Sequence, residues 1–448
     1  MMKSVFVSLG VAAAILGGVV FAFKHVNTGG EFSNSSVAVS GSSMSPSATP
    51  DVRKIMEERI KEAQEKSARI KGVYMTAEVA SDGGAAASRI RNGLIHLAET
   101  TEINAIVIDV KEVCGPEYSE TRMKQLIDEL HAKNIWAIAR IVAFKDSSQM
   151  YVHPEWYLHR AASKSVTDDC GKKMYLREKG PDGLKTNEVL WRDNKGGYWL
   201  DPASEGVRNY LADFSKKIID LGFDEIQFDY IRFPSDGDVA KAQFPVWDGK
   251  TPKYVILKSF FEFIHKSLKE YKPDIILSAD MFGYAAIRAG DAGIGQRLED
   301  IGSTFDYVSF MVYPSHYYSG LYLPADPAHN LAAIAYNGKD VRMYPGVTVG
   351  RSLRVAQDFL DARNASSSAT STIVIGGESE TATASHVRLR PWLEDFFHDA
   401  DKSAGRPYGV EKVRLQIDAA ENVGDSGWIL WNASNVYTQG ALKPESGM

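Results

Sequence analysis

Beyond residue 70 the chain alternates short apolar runs with amphipathic stretches of helical spacing, and this alternation confines it to folds built from strand–helix units on a parallel sheet. Runs of strand character fall at residues 72–78, 104–111, 135–144, 225–233, 275–282, 307–313, 342–349 and 427–432. Between them, Met123, Leu126, Ile127 and Leu130 form one apolar helical stripe. Val207, Tyr210, Leu211, Phe214, Ile218 and Leu221 form another that stops at Gly222. Eight such units predict a (β/α)8 TIM barrel over residues 71–440. A doubly wound sheet is disfavoured because no glycine-rich phosphate loop follows the first run: Gly83-Gly84 leads into a run of alanines, which matches no dinucleotide fingerprint.

Residues 145–203, after the third strand, make a connection too long for a plain loop. It holds Tyr151, His153, Trp156, Tyr157, Trp191, Tyr198 and Trp199. Aromatic faces stack on sugar rings as well as on one another, so at least one of these is expected to meet a ligand and most to pack. The Ser, Thr and Gly-rich residues 364–385 read as an exposed loop.

At the N-terminus, Lys3 precedes an uncharged apolar stretch, residues 4–23, long enough to cross a bilayer, and Lys24 and His25 follow it. The stretch ends Val-Val-Phe-Ala-Phe-Lys, without small residues spaced for cleavage. Residues 1–26 therefore read as a retained membrane anchor, with a cleaved signal peptide and secretion as the alternative. Residues 27–70 read as a low-complexity linker and an exposed, charged helical stalk. The expected location is the cell membrane, single-pass, with the barrel outside the cytoplasm.

Of 448 residues, 44% are hydrophobic, enough for a full core. A net charge of -6, with no basic run interleaved with aromatics, excludes nucleic acid as an expected partner. Two cysteines, Cys114 and Cys170, are too few for a thiolate zinc site; they allow one bridge across the face where the second strand and the insertion end, with two unrelated thiols as the alternative.

Barrel active sites lie at the C-terminal ends of the strands. Alternation puts Gln227 and Asp229 on one side of strand four, Ser278 and Asp280 on one side of strand five, and Ser309 and Tyr313 on one side of strand six. Asp109 with Lys111, Arg140, and Trp431 with Asn432 stand at the ends of strands two, three and eight, with Arg232 and His316 just past strands four and six. Buried ionisable groups need partners or water, so such a ring implies a solvated cleft. The plainer alternative is an ion-pair network closing the barrel top, such as Asp109 with Arg140. Asp229 stands out because Gly222-Phe-Asp-Glu-Ile-Gln-Phe-Asp-Tyr-Ile-Arg-Phe-Pro sets it just before an aromatic, cationic, Pro-terminated strand end.

Residues 222–237, the Gly72-Val-Tyr entry strand, Ser278-Ala-Asp-Met-Phe-Gly and Tyr307-Val-Ser-Phe-Met-Val-Tyr-Pro-Ser-His-Tyr together resemble a bacterial family of glycosyl-hydrolase-type barrels known as a domain of unknown function. The resemblance spans residues 71–436, and the family is similar in outline to the α-amylase superfamily. It implies a nucleophilic Asp at the end of strand four, Asp229, and a general acid at the end of strand five, Asp280. The substrate would be a poly- or oligosaccharide bound by Asp109, Lys111, Arg140, Gln227, Arg232, Tyr313, His316, Trp431 and Asn432, with no cofactor and no metal. The sequence departs from the amylases: Gln227 stands where they carry Arg, Asp280 where they usually carry Glu, and Met343-Tyr-Pro-Gly-Val-Thr-Val-Gly on the expected strand seven offers no carboxylate. Specificity for α-glucans is therefore not implied.

Two other readings remain. One is a non-catalytic carbohydrate-binding barrel at the cell surface. The other, a metal-dependent deacetylase, needs clustered His and carboxylate ligands, and only His316 lies near the strand ends.

Overall fold

The structure, a computed structural model, describes residues 50–161, 188–288, 290–302, 304–366, 371–375, 378–382, 387–396 and 408–445. The apolar segment 4–23, the linker up to residue 49 and Cys170 lie outside the described residues; Cys114 is disulfide-bonded.

Eight parallel strands close into a barrel in chain order. They are β1 (Ile70–Met75), β2 (Ala105–Lys111), β3 (Trp136–Val142), β4 (Glu225–Asp229), β5 (Ile276–Phe282), β6 (Tyr307–Met311), β7 in two pieces (Arg388–Leu389 and Trp392–Glu394) and β8 (Gly427–Trp431). Gly427 of β8 pairs with Ile70 of β1, so the sheet has no edge. Parallel neighbours need crossovers rather than hairpins. The long ones are helices Ala85–Thr100, Glu120–Ala132, Glu205–Asp220, Lys253–Tyr271, Pro345–Ser366 and Val410–Val423.

Strand alternation divides the apolar residues into two cores. Ile106, Ile108 and Val110 face outward, where they meet Met123, Leu126, Ile127 and Leu130 of the Glu120–Ala132 helix. Ile70, Ala105, Val107, Ile138, Trp392 and Ile429 face inward and fill the barrel. Each fully buried Leu or Ile contributes about 1.5–3 kcal/mol, so the outer layer carries most of the cohesion. Gly222, expected to stop the Glu205–Asp220 helix, has φ 106°, the left-handed conformation of a helix C-terminus.

Three expectations require correction. Residues 342–349 are not a strand: Asp340–Met343 is a short 3-10 turn, and Pro345 opens a helix, where its fixed φ and missing N–H suit the first position. Val349, Leu353, Ala356 and Leu360 are buried at helical spacing on it. The seventh strand is instead Arg388–Leu389 with Trp392–Glu394, interrupted at Pro391, which has no N–H to give a ladder. Within the expected loop 364–385, Ser371–Ile375 pairs antiparallel with Glu378–Ala382, as a β-branched run beside a Gly pair favours.

The stalk helix, Pro50–Ser67, is exposed along most of its length, but its end docks beneath the barrel. Ser67 is buried, with its Oγ 3.0 Å from the Tyr307 hydroxyl. In the long insertion, His159–Ala161 pairs with Glu188–Leu190, and Tyr157, Trp191, Tyr198 and Trp199 are buried. His153 stacks on Trp156 at 3.9 Å, and Tyr151 is exposed.

Candidate active site

At the C-terminal end of the barrel the Arg140 guanidinium stands among three carboxylates, Asp109, Asp229 and Asp280. Gln227 pairs with Ser278 and Phe228 with Ala279, so the next residues on β4 and β5, Asp229 and Asp280, stand at one level. Arg140 on β3 lies between them and Asp109 on β2. Its Nη1 donates to Asp109 Oδ1 at 2.6 Å and its Nη2 to Asp229 Oδ2 at 2.5 Å, while its Nε lies 3.8 Å from Asp280 Oδ2. Tyr74 donates its hydroxyl to the other oxygen of Asp109. Burial opposes the Arg140 charge, but Asp109, Asp229 and Asp280 outweigh it and hold the group well above its ordinary pKa.

The two carboxylates on β4 and β5 are set differently. Asp229 Oδ1 accepts the Tyr230 amide at 2.6 Å and Oδ2 accepts Arg140, so both oxygens face groups that can only donate. Tyr230 reaches this position with φ 52°, a left-handed conformation that costs a non-glycine residue about 1–3 kcal/mol and is commonest at functional sites. Asp280 is 1% exposed; its Oδ1 accepts Trp392 Nε1 at 2.8 Å and its Oδ2 has no hydrogen-bond partner. Burial first, then the Asp229 charge, push Asp280 well above the carboxylate range, against the pull of Arg140 and the Trp392 bond. Burial and Asp109 also push Glu112, in the loop after β2, up to about 7.

Above these groups opens a cleft of about 620 Å³, within the size range of ligand sites. Of the residues expected from sequence, Asp229, Asp280, Arg140, Arg232, Tyr313, His316 and Trp431 line it. Asp109 lies beneath Arg140, and Gln227 lies deeper in the barrel, with its Nε2 donating to Ser309 Oγ at 3.2 Å.

Two expected residues are elsewhere. A register shift between Asp109 and Lys111 breaks the alternation that placed them on one face. Lys111 is fully buried outside the barrel, 2.9 Å from Asp146 and 5.9 Å from the Tyr210 ring. Asn432 closes its own loop by donating to the Asp395 and Val436 carbonyls. None of the seven insertion aromatics lines the cleft: Trp156 packs on His153 and on Tyr210 of the Glu205–Asp220 helix, Tyr157 on Tyr198, and Trp199 on Tyr230 after β4.

Sequence reasoning missed Trp392, which holds Asp280, because β7 was expected elsewhere. The true β7 does carry a carboxylate at its end, Glu394. It is fully buried, accepts the Ser315 amide at 2.9 Å and so fixes the turn after β6 rather than lining the cleft. Alternation in Arg390, Trp392 and Glu394 was the available signal. Among the described residues, Asp326, His329 and Asp358 could together hold a metal ion, and none of the three lines the cleft.

Among solved structures, the chain is similar to a hypothetical protein from Ruminiclostridium thermocellum, at 28% identity over 46% of this chain and 96% of that one, with a TM-score of 0.34. It is similar to the α-amylase of Geobacillus thermoleovorans complexed with acarbose, at 11% identity over 83% and 72% of the chains, TM-score 0.44. A third is the glycoside hydrolase domain of PelA from Pseudomonas aeruginosa, at 9% identity over 82% and 96%, TM-score 0.38. No curated protein matches the sequence. A family model does: residues 72–437, from β1 past the end of β8, match the "Putative glycosyl hydrolase domain" family, DUF4015, and the chain belongs to that family.

Proposed function

We propose that this chain cleaves O-glycosidic bonds of a poly- or oligosaccharide with two carboxylates, Asp229 as nucleophile and Asp280 as general acid. The observation that carries the reading is the opposite setting of two carboxyl groups at one level of adjacent strands. Asp229, whose two oxygens accept from Arg140 and the Tyr230 amide, is placed to attack the anomeric carbon. Asp280, buried and raised, holds a proton that passes to the leaving oxygen as the glycosidic bond breaks. Water then gives its proton to Asp280 and attacks the same carbon, releasing Asp229. Neighbouring strands lie about 4.8 Å apart, which favours the carboxyl separation of about 5–5.5 Å used by retaining enzymes.

Asp229→Asn is nearly isosteric but a poor nucleophile, and turnover on a polysaccharide panel should fall by about four orders of magnitude with the fold intact. Asp280→Asn should hurt substrates with poor leaving groups most. Proton NMR of the first-formed sugar reads the outcome: retention is expected, and an inverted product would sink the nucleophile role. Sugar binding by the unaltered chain without turnover would make it a binding module.

The same proposal places the barrel outside the cytoplasm at a membrane, on the strength of residues 4–23. The full-length chain should then need detergent for extraction. Recovery of soluble protein beginning after Lys24 would count against it.

A further inference from the structure

The cations that line the cleft are not equally provided for. Arg140 faces three carboxylates, and Lys145 lies 3.0 Å from Asp193. Arg232 is different. It is 7% exposed, and its guanidinium sits among the rings of Phe282, Trp199 and Tyr230, at 4.5, 4.8 and 5.1 Å. Only its Nη1 is engaged, donating to the Phe233 carbonyl at 3.1 Å and to Ser235 Oγ at 3.2 Å. Among the described residues, Nε and Nη2 have no hydrogen-bond partner and no carboxylate lies within ion-pairing distance.

The barrel floor shows what this chain does with a buried, ring-stacked arginine that is purely structural. Arg390 lies 3.6 Å from the Tyr307 ring centre and is paired with Glu225 at 2.8 Å. Arg232 has the rings without the carboxylate. Burying a cation without a counter-charge is costly, and ring faces offset only part of that cost. Burial accordingly pushes Arg232 below the ordinary range.

The nearby acids do not make up the difference: Asp229 already accepts from Arg140 and the Tyr230 amide. Asp193 is engaged by Lys145, by Trp199 Nε1 and by the Gly197 and Lys195 amides. Asp236 is exposed and accepts the Asn194 amide at 3.3 Å. Lys195, exposed on the same lining, adds a second cation with no ion pair among the described residues.

We infer that Arg232, with Ser235 beside it and Lys195 on the same cleft lining, forms a binding site for a carboxylate carried by the substrate, so that the glycan cleaved here is a uronic-acid-containing one. The planar guanidinium edge matches a carboxylate in shape as well as charge. The inference rests on the hydrolase reading for the identity of the ligand as a substrate, but not for its charge.

The test uses the full-length chain on polygalacturonate, polymannuronate and a glucuronate–hexosamine polymer, each beside the same polymer with its carboxyl groups reduced to alcohols. The unaltered chain should favour an acidic member over its reduced counterpart by at least about tenfold in kcat/KM. Arg232→Gln should lower that ratio by about 10- to 100-fold, the loss expected for a hydrogen bond to a charged group. Arg232→Lys should restore part of it, and Lys195→Gln should lower it less. These two variants keep the question open to measurement if Arg232→Gln does not fold.

Equal rates on acidic and reduced polymers, or turnover of neutral glycans alone, would overturn the carboxylate site and leave the hydrolase reading standing. Arg232-dependent binding of an acidic polymer by the Asp229→Asn protein, with no turnover by the unaltered chain, would do the reverse. Binding of no acidic polymer overturns the site.

Discussion

The two ends of the barrel are built from the same chemical pair and differ in how it is balanced. At the floor, Arg390 Nη1 lies 2.8 Å from both oxygens of Glu225 and its Nη2 donates to the Ser67 carbonyl at 2.8 Å, with both side chains fully buried. One cation meets one anion, and the docked end of the Pro50–Ser67 helix completes the shell. At the opposite end, one Arg140 meets Asp109, Asp229 and Asp280. An excess of carboxylates in a buried place pushes the pKa of Asp280 up, and the place opens to solvent. A cavity of about 360 Å³ also exists at the floor, but the charged groups beside it are matched, His131 with Asp224 at 2.9 Å among them. The location of a cavity says less about chemistry than the balance of charge around it.

The largest effect is expected where the balance is complete. Arg390→Met leaves Glu225 buried and unpaired, and denaturant unfolding should show a loss of about 3–5 kcal/mol. Replacing both partners, Glu225→Leu with Arg390→Met, should recover most of that loss, since apolar side chains of similar volume need no pairing. A loss under about 1 kcal/mol for the single variant would mean that water reaches the floor, and the contrast between the ends would fail.

At the cleft the order reverses. Arg140→Met should reduce kcat by about 10²–10³-fold, the scale of removing one preorganised electrostatic donor. Its stability loss should be smaller than that of Arg390→Met, because the orphaned carboxylates can take up protons through the cleft. Comparable instability with unchanged kcat would make Arg140 a second structural clamp, the ion-pair network that the sequence also allowed.

Legibility in the sequence followed the same divide. Strands β1 to β6 and β8 could be read because their apolar runs are long enough for alternation to register, and that alternation placed Asp229, Asp280 and Arg140 on the inner face. Strand β7 could not: it is two short pieces around a proline, and the buried side chains between and within them, Arg390 and Glu394, are charged. That concealed Trp392 and with it the partner of Asp280. Lys111 was misplaced because a register shift is a tertiary event that leaves no trace in residue types. The left-handed Tyr230 was equally silent, since nothing in Asp-Tyr-Ile-Arg announces a positive φ. The matched floor pair was missed for a simpler reason: Glu225 and Arg390 are 165 residues apart, and no local pattern links them.

The finest contrast is the proton on Asp280, and it is measurable through pH. Because burial and Asp229 raise the folded pKa above the unfolded value, the folded chain binds more protons than the unfolded one between those two values. The associated stability is therefore fully present below the ordinary carboxylate range and lost as pH rises through the raised pKa. Glu112 acts in the same direction, through about 7. Activity should carry the same signature: an acid that must be protonated gives kcat/KM a falling alkaline limb set by Asp280. The Trp392 hydrogen bond to Oδ1 favours the anion, so Trp392→Phe should raise the pKa further and move the limb to higher pH. A hydrogen bond of about 1 kcal/mol corresponds to a shift of up to about one pH unit. Asp280→Asn should remove the limb, and Glu112→Gln should leave it in place. If Trp392→Phe moves the limb downward, or Glu112→Gln abolishes it, the proton that matters is not on Asp280, and the excess of carboxylates at this end is relieved at Glu112 instead.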